Sequence, residues 1–225
     1  MKTIFTFIFC LATMCSAMAQ QTDLPAPKTR KASKRHNDYN LKYTVLQKTP
    51  SVKHGPYRME GKFWYCEGAY NMDNRAGIWS FYGWNGKLDY QFDFTKNQEV
   101  YSDRKSDSLD QKVQVYLNGQ YVRMDVDSRA FYLGGDARIM SFLGKHIRYP
   151  AEAQRAEAEG TTIIAVEIDE DGKLIQRKVV KELGFGFDEE ALRIIDQLPH
   201  EWIPAMVNGK PVRSKSYIPV RFAIK

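Results

Sequence analysis

The residues of this chain that could do chemistry are few and scattered. Four histidines, His36, His54, His146 and His200, stand far apart, with no spacing that would put two of them on one metal ion. Cys10 and Cys15 fall in an apolar N-terminal run, and Cys66 sits alone beside Trp64 and Tyr65. A catalytic thiol needs a histidine and a third group to orient it. The sequence suggests neither near Cys66, which reads as a small core residue. Glu189-Glu190 reads as a solvated helix start rather than a catalytic pair, and Gly184-Phe185-Gly186 has too few glycines to cradle a phosphate. The expectation is no enzyme, no metal and no cofactor. What remains is the chemistry of the backbone: an exposed sheet edge carries unpaired N–H and C=O groups that can pair with another chain.

The elements that would present such an edge lie in the last third of the chain. Thr162–Ile168 alternates apolar and polar residues and places Ile164, Val166 and Ile168 on one face. Asp171-Gly172 turns the chain, and a second strand from Leu174 to Val180 returns antiparallel. A helix is expected over roughly Phe187 to Leu198, with Asp188 as its cap and Ala191, Leu192, Ile194, Ile195 and Leu198 packing on the sheet. Asn208-Gly209 makes a turn, and a last strand runs from Tyr217 to Ile224. Before this region, Ile139, Met140, Phe142, Leu143 and Ile147 recur at helical spacing. Asp136 is the expected cap, and Tyr149-Pro150 the stop.

The order of these features resembles the C-terminal domain of TonB proteins, the periplasmic ends of energy transducers that grip outer-membrane transporters. The resemblance is carried by Tyr149-Pro150-Ala151, the two strands and helix, Trp202-Ile203-Pro204-Ala205, Asn208-Gly209 and the last strand. It implies a ββαβ domain over residues 134–225 whose third strand, Ser214 to Ile224, takes a short extended segment of a transporter. The implied partner-binding positions are Tyr217, Val220, Arg221 and Phe222, with Tyr149 and Pro150 near the bound segment. Pro219 has no N–H and interrupts any ladder there. The alternative is a structural envelope protein that self-associates into a homodimer through the same edge.

Residues 41–127 read as a different module. Gly55-Pro56-Tyr57 recurs as Gly77-Ile78-Trp79, and Trp84-Asn85-Gly86-Lys87-Leu88 is a hairpin turn signal. Asn118-Gly119 marks one more hairpin. The pattern resembles the MORN-like repeats of YwqK-type antitoxin proteins. A single hairpin is too small to bury its own face, so its aromatics are expected to pack on the next hairpin. The fold class is thus α+β: an N-terminal antiparallel β-hairpin module followed by the ββαβ domain with a preceding helix.

Residues 20–40 are rich in Lys and Arg and nearly free of apolar side chains, and they read as a basic disordered linker. Such a run could touch anionic lipid or cell-wall polymer. Residues 1–19 read as a signal peptide. Lys2 is followed by an apolar run too short to span a membrane, and Ala17-Met18-Ala19 is a cleavage pattern. That places the protein in the periplasm. The alternatives are an uncleaved inner-membrane anchor, or a lipoprotein at Cys15, although Met14 is not the small residue such a site wants. A net charge of +6, with 27 acidic residues among 225, argues against nucleic acid as a partner.

Overall fold

The structure is a computed structural model and describes residues 26–103 and 112–224. The expected signal peptide lies outside the described residues. Seven strands form an antiparallel meander in chain order: β1 (Thr29–Arg35), β2 (Asn40–Leu46), β3 (Lys53–Glu60), β4 (Tyr65–Asn71), β5 (Asn74–Tyr82), β6 (Leu88–Asp93) and β7 (Gln98–Ser102). The expected linker is therefore corrected. Its basic residues Arg30, Lys31, Lys34 and Arg35 form an edge strand in unbroken register with β2, from Thr29 opposite Leu46 to Arg35 opposite Asn40. Backbone pairing needs no apolar side chain, and lysines on an edge discourage further pairing.

The turn after β5 is a single 3-10 turn, Trp84–Gly86, with Asn85 at φ 60. The meander buries one aromatic face. Trp79 is fully buried, donates from Nε1 to the Ala69 carbonyl at 3.1 Å, and has the rings of Tyr57, Tyr70 and Phe94 at 5.2, 5.4 and 5.6 Å. The indole lies flat across β4 at Gly68, where any Cβ would collide with it.

The hairpin of β8 (Val113–Leu117) and β9 (Gln120–Met124) turns at Asn118-Gly119, both at positive φ. It does not join the meander. Its place is in a second, five-stranded sheet of order β12-β11-β16-β8-β9, built with β11 (Gly160–Ile168), β12 (Leu174–Lys181) and β16 (Ser214–Phe222). The mix of many strands and few helices is compatible with the expected α+β class, and β16 lies in the middle of this sheet, between β11 and β8, instead of at its edge. Arg213 ties the hairpin in: it pairs with Glu167 of β11 and lies 4.5 Å from the Tyr116 ring of β8.

Among the described residues, the α-helices are α1 (Gly135–His146), α2 (Ala151–Arg155) and α3 (Phe187–Asp196). The N-caps of α1 and α3 are glycines in the left-handed region, Gly134 and Gly186, not the expected Asp136 and Asp188. Phe187, Ala191, Ile194 and Ile195 of α3 share a core with Ile164, Val166, Ile168, Ile218, Val220 and Phe222 of the sheet. Two short ribbons complete the fold. β10 (Phe131–Tyr132) pairs with β13 (Trp202–Ile203), and β14 (Ala205–Val207) pairs with β15 (Lys210–Val212). Tyr132 and Trp202 belong to the α3 core, whereas Phe131 and Ile203 belong to the meander core.

Gly68→Ala is expected to destabilise the protein by about 1–3 kcal/mol, because it overpacks the Trp79 site. The check is a lower urea midpoint at unchanged slope.

Candidate functional site

The last strand carries the open backbone. β16 pairs with β11 along its whole length, from Ser214 opposite Ile168 to Phe222 opposite Gly160. On its other side it meets β8 at Ser214 opposite Val115, where the Arg213 carbonyl accepts the Tyr116 N–H at 2.8 Å. Backbone groups alternate sides along a strand. Odd-numbered residues of β16 therefore direct their N–H and C=O away from β11. Past the end of β8 the edge, unpaired among the described residues, offers both groups of Tyr217, the carbonyl of Pro219 and both groups of Arg221. Pro219 thus interrupts nothing in the β11 ladder; its missing N–H falls on the open side, where proline is tolerated.

Beside this edge is a small cavity of about 140 Å³. Ser216, Tyr217, Ile218 and Pro219 form one wall, and Asp136, Ile139 and Met140 of α1 lie opposite. It has room for a side chain, not for a whole peptide.

The structure sorts the expected binding positions. Tyr217 is half exposed and Arg221 is exposed, both on the open face. Val220 and Phe222 are core residues, 0 and 2% exposed, so their side chains are withdrawn from any partner, and that expectation is corrected. Tyr149 also turns inward. Its ring is edge-on to Phe187 at 5.5 Å and to Phe222 at 6.2 Å, and its hydroxyl donates to the Ala158 carbonyl. Pro150 is the N-cap of α2 and lies against Gly186. The geometry packs Tyr149 against Phe222 and Pro150 against Gly186, and brings neither to Tyr217 or Arg221.

Two carboxylates fix this end of the domain. Glu190 is buried, against the expectation of a solvated helix start. It accepts the Arg148 N–H at 2.6 Å and two bonds from Arg193 at 2.6 Å. Asp188 accepts from Thr162 Oγ1 at 2.7 Å and from the N–H groups of Leu183 and Gly184, closing the loop before α3.

Residues 145–224 match the family model described as Gram-negative bacterial TonB protein C-terminal. They form a TonB C-terminal domain. Protein TonB of Vibrio cholerae serotype O1 is 30% identical over 79 residues, 35% of this chain and 32% of that protein. The chain thus spans about a third of the length of this curated relative. No solved structure matches. The residues matched to the TonB C-terminal domain leave out β8 and β9, which nevertheless complete its sheet.

Among the described residues no group of three His, Cys, Asp or Glu is arranged to hold a metal, and no helix is long and apolar enough to cross a membrane. Burial pushes the Cys66 thiol up to about 12, which keeps it protonated at neutral pH. Sequence reasoning missed Arg138. It sits in the apolar stripe of α1, is 4% exposed, and its guanidinium lies 4.9–5.2 Å from the rings of Tyr39, Tyr132 and Trp64. The available signal was an arginine between Ala137 and Ile139, inside the run that α1 buries.

Burial raises the carboxyls of both Asp188 and Glu190, but their hydrogen bonds outweigh it and hold both below the usual carboxylate range. Folding therefore favours the charged forms. The stability they add is complete above that range, about pH 4, and is lost as pH falls through the folded values. Urea midpoints should fall as pH is lowered below about 4, and Glu190→Gln should flatten part of that slope.

Proposed function

We propose that the free edge of β16 takes an extended peptide segment of an outer-membrane transporter by strand addition, in TonB-linked transport. The observation that carries this reading is the open run of backbone from Tyr217 to Arg221, beyond the single pairing position with β8. An added strand would pair with Tyr217 and Arg221 through N–H and C=O, and with Pro219 through its carbonyl alone. Tyr217 and Arg221 would supply side-chain contacts, and the notch beside α1 would take one side chain of the peptide. Val220 and Phe222 serve by holding the strand on its core. The relative's identity as Protein TonB supports the partner class, and a periplasmic site of action follows from the same reading.

The test uses a synthetic peptide of the N-terminal segment of an outer-membrane transporter from the same cell. Tyr217→Pro removes one outward N–H and leaves the β11 ladder intact. It should weaken peptide binding about three- to tenfold, the cost of one hydrogen bond. Ser216→Pro removes an N–H that faces β11 and should lower the melting temperature instead. Peptide affinity unchanged by Tyr217→Pro would overturn strand addition at this edge. Sedimentation would expose the competing use of the edge, as a dimer that the peptide fails to dissociate.

A further inference from the structure

A second concavity has α1 as a wall and shares only Met140 with the cavity beside β16. It is a cleft of about 710 Å³ between the meander and α1, within the size range of small-molecule sites. Its wall holds a stacked aromatic pair, Phe63 and Trp84, with centroids 4.1 Å apart and planes within 16°. Trp84 sits on the one-turn 3-10 segment after β5 and is 56% exposed. Large aromatic residues bury readily, so a tryptophan held flat on a phenylalanine yet open to solvent is a ring presented for contact.

Three cations line the cleft, Lys62, Arg138 and Lys145; Asp38 pairs with Lys145 and Glu201 with Arg138, which leaves Lys62 without a carboxylate among the described residues. Lys145 is held by Asp38 and by the Asn37 carbonyl at 3.2 Å. Lys62 lies 4.8 Å from the Phe63 ring, at the side of the stack. At the floor, Arg138 uses Nη1 on the Leu133 carbonyl at 2.8 Å and on Glu201. Its Nη2 and the Tyr132 hydroxyl are buried without a hydrogen-bond partner.

The geometry points to a binding site for a saccharide that bears a carboxylate. The electron-rich face of an aromatic ring attracts the C–H face of a pyranose, which the Phe63–Trp84 stack presents on a rigid backing. Lys62, the one lining cation without a carboxylate partner among the described residues, matches a sugar acid rather than a neutral sugar, since charge-assisted hydrogen bonds to a carboxylate are the stronger kind. Asn37, Asp38 and Ser141 supply polar groups for hydroxyls. This assignment is independent of the β16 edge.

The experiment is calorimetry and tryptophan fluorescence on the purified protein with three probes. These are a hexasaccharide alternating glucuronate and N-acetylglucosamine, a neutral N-acetylglucosamine hexasaccharide, and poly-glutamate. The uronate probe should bind about tenfold or more tighter than the neutral one. Trp84→Ala should weaken it by a similar factor, with circular dichroism and melting temperature unchanged because the ring is exposed. Lys62→Ala should reduce the preference for the uronate probe over the neutral one. Equal binding of both saccharides, equal competition by poly-glutamate, no binding of the uronate probe, or full binding by Trp84→Ala would each overturn the proposal.

Discussion

Two residue pairs lie between the two cores of this molecule: Phe131-Tyr132 of β10 against Trp202-Ile203 of β13. Successive side chains on a strand point to opposite faces. A ribbon only two residues long therefore sends Phe131 and Ile203 into the core of the aromatic meander, and Tyr132 and Trp202 into the core under α3. Met206 and Ala205 repeat the split one step later. The same division runs through α1, which gives Ala137 to the meander side and Ile139 and Leu143 to the other. Arg138, between them, ties the seam with its bond to Glu201 just before β13. α1 is thereby held against both sheets, and both concavities described above have α1 as a wall.

That seam explains how the open edge of β16 is arranged. β8 reaches β16 only at Ser214, and the chain then leaves through β9 toward β10 and α1. Among the described residues the edge is covered for one position and unpaired beyond it. The side chains on its inner face, Ile218, Val220 and Phe222, are committed to the α3 core, so the strand keeps its conformation without a partner on its outer side. The outer side needs only backbone, and it is there that Pro219 stands.

The C-terminal architecture was legible because its signals are local: alternation in β11, the turn at Asp171-Gly172, and helical spacing from Phe187 to Leu198. The hairpin at Asn118-Gly119 was legible as a hairpin, but not its sheet. Turn chemistry fixes a local pair, whereas the choice of neighbour rests on long-range contacts such as Arg213 with Glu167. The basic run at 29–35 misled for a related reason. Composition reports the cost of burying side chains, and an edge strand buries almost none. In the last strand, the order of features located β16 itself but not β8 beside it. Burial alone separated the exposed Tyr217 and Arg221 from the buried Val220 and Phe222. Glu190 and Arg138 read as surface residues from their type, and each is buried because partners from distant positions, Arg148 and Glu201, meet it there.

The most direct test is amide hydrogen exchange along β16, read residue by residue with and without a transporter N-terminal peptide. The alternation of the strand predicts slow exchange at Ile218, Val220 and Phe222, which bond to β11. It predicts fast exchange at Tyr217 and Arg221 in the free protein, and slowing at those two amides when the peptide binds. Protection of Tyr217 and Arg221 in the free protein, equal to that of their neighbours, would show the edge already paired and would contradict the account.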